Sequence, residues 1–221
     1  MSAMSPQEGA LNLLRNCAGA KPGDSLLIAY EPPSHGYFDA EVVGIVEGAA
    51  RACGLSVETV DVGFNPDDPV LTPHLLERMA AADIILFLAR LGDQLRFSQM
   101  PSEKTIVVSY ALSRAAFGSG FANAHHGAFL AIKAAVNAAL AHARSLRVTC
   151  PLGTDIEGHP EMDLTSGGDT TVLRFPMSVF TPVPAHSFSG RVAIRFLTGT
   201  GSRYYQDYSP EFAAPVHALM Q

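Results

Sequence analysis

Residues able to do chemistry gather at a few places along the chain. His125 and His126 stand side by side in Asn123-Ala124-His125-His126-Gly127, where an alanine-rich stretch begins. Neighbouring helical residues point about 100° apart, so one helix turn does not aim both rings at one metal. A histidine at a helix N-terminus favours the neutral ring, which suits hydrogen bonding to a carbonyl or a phenolate. The pair is therefore the candidate for catalytic proton handling. The competing reading is structural, with one ring against a sheet edge and the other in solvent. Arg90 and Asp93 follow the apolar run that ends at Leu88-Ala89. They are placed to contact a polar substrate or to pair with each other. Arg96 could bind a carboxylate through its planar fork. His35 and Asp39 lie four apart near a helix start. They could share a face and offer a proton donor, or stand as a solvated loop histidine and a dipole-favoured acid. The candidate set is thus His125 and His126 as catalytic residues, and Arg90, Asp93 and His35 as substrate contacts. Spacing alone assigns no metal ligand.

Other polar clusters carry less. In the run from Asp155 to Asp163 the polar residues alternate, but no zinc spacing appears and a solvated loop is expected. Gly199-Thr200-Gly201 leads into Tyr204 and Tyr205 and reads as a glycine-bearing loop. The loop Glu31-Pro32-Pro33-Ser34-His35-Gly36 stands where a dinucleotide fingerprint would be. Its prolines and acid make a poor pyrophosphate cradle. Neither a Walker A sequence nor a nucleophile elbow occurs. Cys17, Cys53 and Cys150 show no CxxC spacing and read as buried free thiols of a reducing compartment.

The elements that must position these residues alternate. Ser5-Pro6-Gln7-Glu8 starts a helix, with Ser5 as cap and Glu8 closing a capping box. Strands are expected at Ser25–Tyr30, Leu55–Val62, Ile84–Ala89 and Thr105–Tyr110. Helices are expected at 37–53, from Thr72 to about Ala81, and at 127–144; Gly54 stops the first of these three. Arg90 to Lys104 reads as a long polar insertion. After Arg144 turns and short strands dominate, including 170–175 and 190–197. The fold class is α/β: a mostly parallel open sheet with helices on both faces, followed by a smaller β-rich segment. The division is 1–145, a Rossmann-like domain, and 146–221, the start of an incomplete second domain.

Composition sets limits. The chain of 221 residues is 48% hydrophobic and only 16% charged, with a net charge of -6. Scattered basic residues give no footprint for nucleic acid or anionic lipid. No signal-peptide pattern opens the chain, and its apolar runs are too short to cross a bilayer. A cytoplasmic protein without membrane or nucleic-acid partners is expected. Its charge-poor surface points to a homodimer.

Several stretches together carry a resemblance. Ala20-Lys21-Pro22-Gly23-Asp24-Ser25-Leu26-Leu27-Ile28 is similar to the entry into the first strand of the thermophilic aminopeptidase T family, whose superfamily includes 2,5-dihydroxypyridine 5,6-dioxygenase. Arg147-Val148-Thr149-Cys150-Pro151-Leu152-Gly153-Thr154-Asp155 is similar to an "RVTxPxGTD" element there. Phe175-Pro176-Met177, Val179-Phe180-Thr181-Pro182 and Ser189-Gly190-Arg191-Val192 resemble a "P-x-GEVFTAP…G-x-V" stretch. The resemblance implies a small aromatic or peptide substrate. It also implies a divalent metal: Fe²⁺ for ring cleavage, or Zn²⁺, Co²⁺ or Mn²⁺ for hydrolysis. The family's metal ligands come late in its chain and match no position here, so the metal-holding part is expected outside these residues. The family's substrate pocket also draws on its α/β domain, and by analogy of place His125, His126, Arg90 and Asp93 would face it. The alternative is a non-catalytic module that binds a small ligand or a partner.

Overall fold

The computed structural model describes residues 4–95, 100–101, 103–159, 172–177, 187–196 and 211–220. Arg96, positions 160–163 of the acidic run and the loop at 199–205 lie outside them. The chain forms two compact units, one of residues 1–132 with 170–179, the other of 133–169 with 180–221.

The first unit is a doubly wound α/β sheet. Its strands are β1 (Ser25–Tyr30), β2 (Ser56–Asp61), β3 (Ile84–Leu88), β4 (Thr105–Ser109) and, after a long excursion, β7 (Leu173–Phe175). They lie in the order β2-β1-β3-β4-β7, and every neighbouring pair is parallel. Strand alternation sorts the core. Leu26, Ile28, Leu86, Leu88 and Val107 face one way, toward α1 (Pro6–Asn12) and α2 (Glu41–Ala52). Leu27, Ala29, Ile85, Phe87, Ile106 and Val108 face the other way, toward α3 (Pro73–Ala81) and α4 (Arg90–Gln94). Both faces are covered, as a parallel sheet requires.

Local signals account for most boundaries. The Thr72 hydroxyl accepts from Leu75 N–H and caps α3. Gly54, at φ +75°, ends α2 in the left-handed region that side chains avoid. Ser5 does cap α1, but its hydroxyl accepts the N–H of Gln7. The capping box expected through Glu8 is therefore replaced by a contact one residue earlier. Past Asn12 the helix widens into a π-turn, Leu13–Cys17.

Two segments depart from the sequence reading. The start of the expected polar insertion is the helix α4, with Arg90, Leu91, Gly92 and Asp93 all buried. Leu91 and Leu95, four apart, seat it against the sheet core. Residues 172–177, placed by composition with the β-rich part, instead supply the fifth parallel strand. Without β7, the edge of β4 would leave Val107 uncovered; Leu173 pairs with it, and Phe175 is wholly buried. α5 (Arg114–Phe117) and α6 (Gly120–Asn123) lead into α7 (His126–Ala141), within which the boundary between the units falls.

The second unit is an antiparallel sheet of β5 (Leu146–Thr149), β6 (Asp155–Gly158), β8 (Ser189–Phe196) and β9 (Glu211–Met220), in that order. Asp155 sits in a strand rather than a loop and takes both ends of the Arg147 guanidinium fork at 2.8 Å. Cys150 begins the turn that joins β5 to β6 and is exposed, not buried as its apolar neighbours implied. Thr154 and the main-chain N–H groups of the turn hydrogen-bond its sulfur and lower the thiol's pKa. Among the described residues, no helix is long and apolar enough to cross a membrane.

Candidate functional site

The strand order reverses direction at β1 and β3, and the crevice outside their carboxyl ends is where open α/β sheets bind ligands. Residues from four successive loops meet there. Glu31 directly follows β1; its N–H donates to the Leu88 carbonyl at 2.9 Å and extends the ladder onto β3. Arg90 follows β3 by one residue. The two residues are 1% and 8% exposed and form an ion pair. Glu31 Oε2 accepts from Arg90 Nε at 2.9 Å and from Arg90 main-chain N at 3.3 Å, while Oε1 accepts from Nη2. Charges this deep require such a fork, because each alone would keep its full desolvation penalty.

Aromatic rings cover the pair. The Arg90 guanidinium carbon lies 4.6 Å from the centroid of Tyr37, in the loop after β1, and 3.3 Å from that of Phe64, in the loop after β2. Burial pushes the Tyr37 phenol up from its ordinary range; the negative charges of Asp93 and Glu31 add to this, and Arg90 opposes it. Asp93 in α4 accepts a hydrogen bond from the hydroxyl of Tyr110, the residue after β4. Gln94 donates to the Asn65 carbonyl at 3.4 Å and ties α4 to the loop after β2.

Of the sequence candidates, Arg90, Asp93 and His35 come to this crevice. Arg90 takes Glu31 as partner and Asp93 takes Tyr110. His35 is exposed, its ring edge-on to Phe64 at 6.5 Å between centroids. Nothing in the sequence alone singles out Tyr37, Phe64 or Tyr110, and the loop holding Glu31 reads there as a lesser candidate. One signal was present: an acid directly after the first strand and an arginine directly after the third.

The two histidines belong to other elements. His125 precedes α7 and is exposed; its Nδ1 accepts the N–H of Gly127 at 3.1 Å and caps that helix. His126 is 2% exposed, with ring centroids of Phe129 and Phe175 at 6.3 and 6.5 Å. Its Nδ1 is buried without a hydrogen-bond partner among the described residues. Burial, helped by the neighbouring His125, lowers its pKa from the ordinary value. Asn12 organises this corner. Its amide nitrogen donates to the carbonyls of Ala122 and Ala124, each at 2.7 Å. Its oxygen accepts from Asn16 Nδ2 and from the His126 main-chain N–H.

The resemblance implies a divalent metal. Among the described residues, no three His, Cys, Asp or Glu side chains stand close enough to hold one. The described donor set therefore does not fit the implied metal, and no chemical step is derived through it.

No protein-family model matches the chain. No curated protein matches it either. Among solved structures, a fatty acid ABC transporter substrate-binding protein from Thermomonospora curvata is similar at 20% identity and a TM-score of 0.32, over 49% of this chain and 29% of that one. The chain thus spans less than a third of that protein's length. The likeness carries no argument about ligand or activity.

Proposed function

We propose that the α/β unit binds a small molecule at the carboxyl ends of β1 and β3. In this reading it is the substrate-facing part of an enzyme like aminopeptidase T or 2,5-dihydroxypyridine 5,6-dioxygenase, acting on a small aromatic or peptide substrate. The observation that carries it is the buried Glu31–Arg90 pair under Tyr37 and Phe64. A buried ion pair is often no more stabilising than apolar residues of the same size, so one set at a switch point fits a role in binding. The rings offer flat apolar area, and Asp93 with Tyr110 offers polar atoms beside it. The same reading proposes a cytoplasmic homodimer.

Binding is tested by titrating the full chain with 2,5-dihydroxypyridine and with a dipeptide, following tyrosine fluorescence. Saturable binding that Phe64→Ala weakens about tenfold or more supports the site. Absence of saturation with either compound, or unchanged affinity in Phe64→Ala, removes it. The catalytic role expected of His125 and His126 is tested separately, by Fe(II)-dependent O₂ uptake with hydroxypyridines in a full-length relative that carries the metal-holding part, before and after both histidines are replaced. Unchanged turnover takes both out of the mechanism.

A second reading, a non-catalytic ligand-binding module, draws on one observation: both oxygens of Glu31 are engaged by Arg90. That makes the pair a floor for a ligand rather than a reacting group. Metal analysis separates the two. Stoichiometric metal in the purified chain, or a gain in thermal stability with Fe(II), Co(II), Mn(II) or Zn(II), favours the enzyme; neither favours the module.

A further inference from the structure

A cleft of about 280 Å³ opens beside the first helix, lined by Glu8, Leu11, Arg15, Asn16, Asn123 and His125 among others. Of its lining, the proposed function draws on His125 alone. Its chemistry follows from which hydrogen-bonding groups are already engaged. A main-chain N–H can only donate, so the bond from Gly127 fixes His125 Nδ1 as an acceptor. The neutral ring therefore carries its proton on Nε2, leaving a donor for the cleft. The two N–H groups of the Asn123 amide have acceptors elsewhere, Phe117 O and Ser119 O, both at 2.9 Å. Asn123 thus has an oxygen to offer, not a donor. Asn12 spends its amide on Ala122, Ala124, Asn16 and His126. The cleft then offers donors from the Arg15 guanidinium and His125 Nε2–H, acceptors from the Glu8 carboxylate and Asn123 Oδ1, and the amide of Asn16, which has one N–H engaged by Asn12. Leu11 adds apolar surface. Its volume is near the lower end for ligand pockets and suits a molecule of under about ten heavy atoms.

We infer that this cleft binds a free apolar α-amino acid. Its carboxylate would meet Arg15 and His125, its ammonium group Glu8 and Asn123, and its side chain Leu11. A simple anion leaves the Glu8 charge unmatched, and a simple amine leaves the Arg15 charge unmatched.

The experiment uses the full chain and three probes, L-leucine, isovalerate and L-leucinamide, followed through the histidine ring signals in NMR. Leucine is expected to bind about tenfold or more tightly than either single-charge analogue and to shift the His125 signals. Arg15→Gln is expected to weaken leucine and isovalerate but not leucinamide. Glu8→Gln is expected to weaken leucine and leucinamide but not isovalerate. His125→Asn keeps a side-chain acceptor for the Gly127 N–H and so retains the cap while removing the Nε2 donor; it is expected to weaken leucine, as read by calorimetric titration because the variant lacks the reporting ring. The inference is overturned if leucine leaves the His125 signals unmoved, if an analogue binds as tightly as leucine, or if Arg15→Gln leaves leucine affinity within about twofold.

Discussion

Glu31 Oε2 holds Arg90 twice, accepting from the side-chain Nε at 2.9 Å and from the main-chain N at 3.3 Å. One carboxylate thus fixes both the guanidinium and the first residue of α4. Glu31→Leu strands a buried guanidinium and is expected to cost about 3–5 kcal/mol in urea unfolding. The double variant Glu31→Leu/Arg90→Leu should lose clearly less, because no charge is left unpaired. A double variant as unstable as the single one would show that the pair's packing, not its charge, matters. Arg90→Lys is expected not to restore stability, since an ammonium cannot reproduce the fork.

Asn12 closes three hydrogen bonds between α1 and residues 122–126, and accepts a fourth from Asn16 in the π-turn that follows it. Asn12→Ala leaves two carbonyls and the His126 N–H without that partner. A loss of about 2–4 kcal/mol is expected by chemical denaturation. Asn12→Asp keeps the acceptor but no longer donates to Ala122 and Ala124, and should be nearly as damaging.

His126 gives stability a pH dependence whose sign is fixed by burial. Its folded-state pKa lies below the ordinary 6.5, so the unfolded chain takes up the proton more readily. Above 6.5 both states are neutral and the contribution is complete. It is lost as pH falls through 6.5 toward the lower folded-state value. His126→Phe should flatten the stability profile below that pH relative to wild type, measured by urea unfolding at a series of pH values. Parallel profiles for the two proteins would contradict the assignment.

The sheet was legible because apolar runs of five and six residues, separated by capped helices, leave little else to build. The crevice was legible in part. Arg90 and Asp93 stand out as charges at a strand's end. Their partners do not, because Glu31 and Tyr110 lie 59 and 17 positions away and nothing local announces the meeting. The same holds for Asn12, which reads as an ordinary helix residue until Ala122, Ala124 and His126 are brought to it. Strand β7 was misplaced for a related reason. Three residues framed by turn-rich sequence carry no sign of which sheet they join.

The cysteines should differ in reactivity. Burial pushes the Cys17 thiol up to about 12, whereas Cys150 is exposed with its thiol lowered by hydrogen bonds from Thr154 and the turn. Iodoacetamide at neutral pH is expected to label Cys150 about tenfold or more faster than Cys17 or Cys53, as read by peptide mass mapping. Equal rates for the three would rule out this picture of the β5–β6 turn.

Two glycines should respond oppositely to alanine. A Cβ on Gly9 would stand 2.1 Å from the main-chain oxygen of Phe117, so Gly9→Ala must push α1 off α5. A loss of about 3 kcal/mol is expected, at the upper end for overpacking because backbone is struck. Gly44 in α2 has open space around it, and Gly44→Ala should add about 0.5–1 kcal/mol. Thermal unfolding of both variants checks the contrast.

Leu173–Phe175 completes a sheet whose other strands are finished by Ser109. During synthesis, then, the α/β unit must wait with β4 as a raw edge, exposing the row on which Val107 and Val108 will later pair. Phe117 and His126 wait for the ring of Phe175 over the same interval. Such delayed closure raises contact order, slows folding and prolongs the time in which a bare strand can pair with the wrong chain. A fragment cut at residue 145 would hold that half-made state permanently, and aggregation, rather than a smaller soluble domain, is the outcome it should give.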